Sequence, residues 1–195
     1  TATLNLNRTL KDPTVTVTKV KALPGANVTF TVNVEGPLSD KPAGQIILKL
    51  DGKVLTTQNL TLGRITYKYK LPMNIQPGIH NITAVYSGDD KYSPAEGSNI
   101  LGVLTTSVTT TDAKKGAIGD KINITAKVTS NGAAVKTGKA TIIVNGMNVA
   151  KVDVVNGKLS YQYTIPTNFT TKVYNIKVKY EGNDTIAAST GNNNL

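Results

Sequence analysis

Little in this 195-residue chain could do covalent chemistry: one histidine, no cysteine, and 12 carboxylates set against 22 Lys and Arg. The lack of Cys removes thiol catalysis, thiolate metal sites and a disulfide framework. His80 is the one imidazole, and 94 positions further on its counterpart is Tyr174. A general base is not expected at a position that tolerates Tyr, so neither a catalytic nor a metal role is assigned to it. Asp89, Asp90 and Asp184 suggest calcium, but hard cations take about six or more oxygens and no D-x-D-x-D-G loop is present. These residues read instead as turn caps, with Asp90 and Asp184 the expected acceptors. No phosphate-cradling glycine loop follows a strand and opens a helix. With no nucleophile–base pair in view, the chain is read as non-enzymatic and without a cofactor.

The formal charge of +10 favours anionic surroundings. The lysines are scattered along alternating segments, which also keeps sheet edges from associating. Only Arg8 and Arg64 supply guanidinium groups and no aromatic stripe is present, so nucleic acid is not an expected partner. A salt-sensitive attraction to anionic cell-wall polymers or glycans is more plausible, with Lys68-Tyr69-Lys70 and Lys177-Val178-Lys179 as candidate faces. No apolar run approaches the roughly 20 residues of a membrane-spanning helix. The chain opens at Thr1 without a recognisable leader, and so reads as part of something longer.

An internal duplication organises these residues. Gly44-Gln45-Ile46-Ile47-Leu48-Lys49-Leu50-Asp51-Gly52 returns as Gly138-Lys139-Ala140-Thr141-Ile142-Ile143-Val144-Asn145-Gly146. The same offset of 94 pairs Gly25 with Gly119, Tyr67 and Tyr69 with Tyr161 and Tyr163, Pro72 with Pro166, Tyr86 with Tyr180, and Gly88 with Gly182. From Gly25 to Asn99, 17 of 75 positions are identical to their counterparts.

Each copy alternates apolar and polar residues with period 2, as in Val28, Phe30, Val32 and Val34, or Ile65, Tyr67, Tyr69 and Leu71. Asp51-Gly52 and Asn145-Gly146 have the residues of tight hairpin turns. Strands are expected near 15–20, 27–34, 45–50, 53–60, 64–71, 79–86 and 98–104, and no segment shows helical periodicity. The fold class is therefore all-β: two tandem Ig-like sandwiches of about seven strands each. The expected boundaries are 1–13 for an extra strand from a preceding repeat, 14–104 for the first repeat and 105–195 for the second. The lack of a Gly/Ser/Pro linker near Thr105–Thr106 predicts an elongated, stiff pair. Residues 1–10 are expected to pair with an exposed sheet edge.

Ala84-Val85-Tyr86-Ser87-Gly88-Asp89-Asp90-Lys91-Tyr92 and Lys179-Tyr180-Glu181-Gly182-Asn183-Asp184-Thr185 resemble the A-x-Y-x-G-D-x-x-Y ending of bacterial Ig-like (Big) repeats. Pro42-Ala43-Gly44 and Lys136-Thr137-Gly138 look like the same family's P-x-G. The second copy departs from the pattern at Asn183 and Ile186. The Thr- and Asn-rich, Cys-free style is similar to adhesin-like surface proteins of methanogenic archaea. The resemblance implies a spacer or adhesive repeat at the cell surface, with adjacent repeats and a surface glycan or protein as partners. A carbohydrate- or cell-wall-polymer-binding module is the alternative, with Tyr67, Tyr69, Tyr161 and Tyr163 as candidate contacts.

Two covalent modifications are candidates. Ig-like domains of surface proteins sometimes join a Lys and an Asn of the first and last strands by an isopeptide bond. Lys19 or Lys21 with Asn99, and Lys114 or Lys115 with Asn193, stand at suitable positions. No assisting acid recurs, since Asp51 aligns with Asn145 and Glu35 with Thr129. N-x-[ST] triplets at Asn7, Asn27, Asn59, Asn81, Asn123, Asn168 and Asn183 are candidate glycan acceptors if the protein is exported. Tyr86 and Tyr180 are expected to bury their rings and to bond nearby backbone through their hydroxyls.

Overall fold

A computed structural model describes residues 9–37 and 41–195, which divide into two compact units, one ending at Val103 and the other spanning Leu104–Leu195. Among the described residues there is no helix. In the first unit β1 (Thr14–Val17), β3 (Asn27–Glu35) and β6 (Arg64–Lys70) form one sheet in the order β1-β3-β6. β2 (Val20–Ala22), β4 (Gln45–Leu50), β5 (Lys53–Asn59), β7 (Gly78–Tyr86) and β8 (Ala95–Val103) form the other, in the order β2-β8-β7-β4-β5.

The second unit repeats this plan without a counterpart of β2. β9 (Val108–Thr111), β10 (Lys121–Ser130) and β14 (Lys158–Thr164) form one layer, with the short β11 (Ala133–Ala134) on the far side of β10. β12 (Thr137–Val144), β13 (Met147–Val155), β15 (Asn175–Tyr180) and β16 (Ser189–Asn194) form the other, in the order β13-β12-β15-β16. The layers join at one corner, where Val155 pairs with Lys158. The expected all-β pair of sandwiches is what the chain forms.

Alternation drives the packing. In β3 the inward Val28, Phe30, Val32 and Val34 are buried, while Asn27, Thr29 and Glu35 are exposed. Opposite them lie Ile46, Leu48, Ile82 and Ala84, all fully buried. In the second unit Ile124, Val128, Ile142, Val144, Ile176 and Val178 fill the equivalent core. Each such side chain removed from water contributes about 1.5–3 kcal/mol.

The hairpin turns fall where the sequence puts them: Asp51 (φ 49°) and Asn145 (φ 51°) each precede a glycine and close β4–β5 and β12–β13. The first expected strand, 15–20, divides into β1 and β2 because the chain leaves one sheet and joins the other at Thr18-Lys19. Periodicity shows extension, but it is blind to a change of partner.

The Tyr86 and Tyr180 rings are fully buried, yet their hydroxyls bond no backbone group, contrary to expectation. Burial pushes both hydroxyl pKa values up, and for Tyr86 the nearby Asp89 carboxylate adds to the rise. The rings occupy space left by the P-x-G glycines. A Cβ on Gly138 would lie 2.5 Å from Cε2 of Tyr180, and one on Gly44 would lie 3.3 Å from Cε2 of Tyr86. The two halves of the repeat signature are thus one contact.

Leu62 adopts φ 52° where its counterpart is Asn156 (φ 48°), and it is 82% exposed. A branched side chain in this left-handed region costs about 1–2 kcal/mol, whereas Asn visits it readily. Leu62→Asn should therefore stabilise the first unit by about 0.5–1 kcal/mol, read as a rise in its urea midpoint; no change would show that Leu62 bears no strain.

Candidate functional site

The feature built most alike in the two units is the seam between first and last strands. In the first unit Lys11 opens it: its N–H donates to Lys91 O at 2.9 Å and its carbonyl accepts from Ser93 N at 3.0 Å. β1 then runs along β3, with Val17 opposite Val32. After the change of sheet, β2 runs parallel to β8, pairing Val20 with Leu101, Lys21 with Gly102 and Ala22 with Val103.

Where the strand crosses, the Val17 carbonyl accepts a hydrogen bond from Asn99 Nδ2 at 2.7 Å, while Asn99 Oδ1 accepts from Ile100 N at 2.8 Å. A carbonyl withdrawn from water without a partner costs about 1–3 kcal/mol. Two residues earlier, Gly97 passes so close to Val15 that any Cβ would collide with the Val15 carbonyl.

The second unit reproduces the opening bonds and the clamp, while the parallel β2–β8 ladder is reduced to one bond, from Lys114 N to Asn194 O at 2.9 Å. Thr105 N donates to Thr185 O at 2.9 Å and Ala187 N donates to Thr105 O at 2.8 Å. Asn193 Nδ2 donates to Thr111 O at 2.8 Å, and a Cβ on Gly191 would lie 2.7 Å from the Thr109 carbonyl. A run of hydroxyls adds to it: Ser107 Oγ donates to Ala187 O at 2.6 Å, and Thr109 Oγ1 lies 2.7 Å from Ser189 Oγ. The motif is Gly-x-Asn on the last strand, Gly97-Ser98-Asn99 and Gly191-Asn192-Asn193. The aligned asparagines were legible in the sequence, but their role as crossing clamps was not, because it depends on which strand lies over them.

Several candidate residues belong to this seam. Asn99 and Asn193 spend their amides on backbone as described. Lys19, Lys21 and Lys115 are exposed, and Lys114 is half-buried, its N–H donating to Asn194 O at 2.9 Å. The N-terminal segment expected to pair with an edge lies, for residues 1–8, outside the described residues; Thr9 and Leu10 are in no strand.

The tyrosines of β6 and β14 point toward the cores. Tyr163 is buried, and Tyr67, Tyr69 and Tyr161 are half-buried against the apolar clusters. Tyr67 and Tyr69 stack at 6.2 Å between centroids. Of the glycan acceptors, Asn27, Asn59, Asn81, Asn123 and Asn168 are exposed, and Asn7 lies outside the described residues. Asn183 Oδ1 is occupied by Thr185 N at 2.9 Å and Ile186 N at 2.8 Å.

That turn corrects the expected cap. Its first-unit counterpart is held by Asp89, whose Oδ1 accepts from Lys91 N at 2.7 Å and Tyr92 N at 2.8 Å, and whose Oδ2 accepts from Ala43 N at 2.8 Å. Burial acts to raise the Asp89 pKa, but these N–H groups hold it below the ordinary value. Asp90 and Asp184 are identical in the two copies, whereas Asp89 and Asn183 differ while making the same acceptor geometry.

His80 is a tether. Nδ1 lies 2.6 Å from Asp51 Oδ2 and Nε2 lies 2.8 Å from Gln76 O, while Asp51 Oδ1 accepts from Asn81 N at 2.8 Å. Both ring partners are acceptors, so only the protonated imidazole satisfies both. The bond to Asp51 raises its pKa above 6.5, opposed by burial and aided by Gln76. Burial tends to raise Asp51, but the bonds from His80 and Asn81 bring it below 3.8. In the second unit Tyr174 takes over, its hydroxyl accepting from Thr170 N at 2.9 Å.

Two predictions follow from these contacts. Asn99→Asp removes the donor to Val17 and places a carboxylate against a carbonyl, so it should destabilise the first unit by about 1–3 kcal/mol in urea unfolding; an unchanged midpoint would remove Asn99 from the clamp. The His80 contribution is fully present below pH 6.5 and fades as pH rises through its raised folded pKa, while that of Asp51 fades only as pH falls through its lowered one. Urea midpoints should therefore decline as pH rises above 6.5, by less than about 1 kcal/mol because solvent reaches the pair, and His80→Tyr should flatten the decline. An equal slope in the variant would place the titration elsewhere.

Comparison with known proteins agrees with this architecture. No curated protein matches the chain. The fibronectin(III)-like modules of CbhA from Clostridium thermocellum share 16% identity over 93% of this chain and 91% of theirs, with a TM-score of 0.62. The adhesin InvE of Yersinia pseudotuberculosis aligns over 94% of this chain and 58% of its own, at 13% identity and a TM-score of 0.37. At 16% identity the likeness to the CbhA modules is one of fold. Residues 13–109 match the bacterial Ig-like domain (group 3). They contain the first seam, the Gly44–Tyr86 contact and the Asp89 turn, and this first repeat belongs to that family.

Proposed function

We propose that the two repeats are spacer modules of a cell-surface protein, built to carry tension along the chain and to hold an attachment region away from the cell. The observation that carries this reading is the seam. In the first unit β2 runs parallel to the last strand β8, and in the second Thr105 bridges Ile186 in the same parallel sense, so a pull on a unit's two ends acts along these segments. Their hydrogen bonds are then loaded in shear and must fail together, whereas a pull across a hairpin breaks bonds one at a time. The clamps at Asn99 and Asn193 sit inside that loaded region. Repeats of this kind add stability unit by unit in an array.

The reading is non-catalytic. The single histidine is engaged in a turn tether, and the family match is to a structural module. Exposed Asn27, Asn59, Asn81, Asn123 and Asn168 would accept glycans in a cell that modifies exported proteins.

Single-molecule pulling tests the proposal. Drawn through its termini, the chain should unfold in two all-or-none steps at higher force than when pulled through the Asp51-Gly52 and Asn145-Gly146 turns. Asn99→Asp should lower the force of one step only. Equal forces in both geometries would refute the mechanical role.

A further inference from the structure

The outer faces of the β1-β3-β6 and β9-β10-β14 layers carry cations in the same rows, although not always on the same strands. In the first unit Lys70 lies opposite Asn27 and Arg64 opposite Asn33. In the second, the row of Asn27 and Lys70 becomes Lys121 and Thr164, and the row of Asn33 and Arg64 becomes Lys127 and Lys158. In the first row the cation absent at Thr164 stands on the neighbouring strand at Lys121, and in the second row Lys158 keeps the place of Arg64 while Lys127 adds another. The two rows stand six residues apart, about 20 Å along the sheet. Between them the first unit has Lys68 among Thr29, Thr31 and Thr66, and the second has Asn123, Gln162, Thr125 and Ser160. All these residues point away from the cores.

The charges on this face are not spent internally. Among the described residues Arg64, Lys68, Lys70, Lys121, Lys127 and Lys158 form no ion pair, whereas on the opposite layer Lys139 pairs with Asp153 and Lys151 with Glu181. Two carboxylates belong to the face: Glu35, opposite Thr14, and Asp112, which accepts from Thr125 Oγ1 at 2.7 Å. Lys127 directly opposite Lys158 is a like-charge pair, which destabilises an antiparallel ladder. Local rules are broken in this way mainly where a surface has another use.

At the corner after β5 a groove of about 480 Å³ is lined by Gln58, Asn59, Arg64 and Thr66. In the second unit a groove of about 420 Å³ lies over β10 and β14, lined by Asp112, Thr125, Lys127, Lys158 and Ser160 together with the apolar Ala126, Val155 and Leu159. Each groove ends on the cation row of its own unit.

We propose that this face of each repeat binds a linear anionic polysaccharide. Its carboxylate or phosphate groups would sit on the two cation rows, and its hydroxyls on the Thr, Ser, Asn and Gln between them. Nucleic acid fits less well, because the tyrosines of β6 and β14 pack toward the cores and leave no base-stacking platform. The proposal does not rest on the mechanical reading, since a repeat can hold a polymer whatever its unfolding force.

The test uses the whole chain with immobilised polygalacturonate, a phosphodiester-linked teichoic acid, neutral dextran and single-stranded DNA. Binding to one or both anionic glycans, but not to dextran, is expected, and the tighter of the two identifies the anion. Raising NaCl from about 50 mM to about 500 mM should weaken it at least about tenfold. Neutralising Arg64, Lys68, Lys70, Lys121, Lys127 and Lys158 to Gln should likewise cost at least about tenfold. Removing the same charge from Lys41, Lys49, Lys53, Lys136, Lys177 and Lys179 should cost less than about twofold. Equal losses in the two variants, no binding to either glycan, or tighter binding to DNA would each overturn the proposal. Circular dichroism of both variants confirms that any loss is not unfolding.

Discussion

The architecture depends on one crossing. A strand that begins in one sheet and ends in the other must interrupt its ladder between them, and the interrupted carbonyl needs a donor. Asn99 and Asn193 supply that donor from the last strand, and Gly97 and Gly191 let the two backbones come close enough for it to reach. Everything else in each unit can be built from alternation and tight turns. The crossing cannot, and it is what brings the two ends of a repeat into direct contact.

The duplication acts as an internal comparison, because each position has been solved twice. Asp89 and Asn183 cap the same turn with different charge, so the acceptor geometry is what matters there. His80 and Tyr174 both tether the loop residue four positions earlier, one through a ring nitrogen and one through a hydroxyl. The outer face of the smaller layer keeps cations at the ends of its central ladder while moving one of them between strands. What has stayed fixed in these pairs is a contact or a location of charge, and the residue that provides it has changed.

This explains why the candidate residues were legible unevenly. Tyr67 and Tyr69 alternate with Lys68 and Lys70, and that pattern alone places rings inward and ammonium groups outward. Asp90 and Asp184 attracted notice as identical pairs, although the bonding falls one residue earlier. The aligned Asn99 and Asn193 invited a covalent reading, whereas the structure gives their amides to backbone. Identity between copies marks what is retained but does not say which atoms meet.

Residue order alone establishes the duplication, the all-β class, the hairpin turns at Asp51-Gly52 and Asn145-Gly146, and the inward face of nearly every strand. These follow from spacing over a few residues, since side-chain period and turn preference are local properties of the backbone. Only the tertiary structure decided that the first strand divides between two sheets, that Gly44 and Gly138 make room for Tyr86 and Tyr180, and that cations from different strands form common rows. Each of those facts is a relation between segments tens of residues apart, and it exists only once the choice of neighbouring strands has been made.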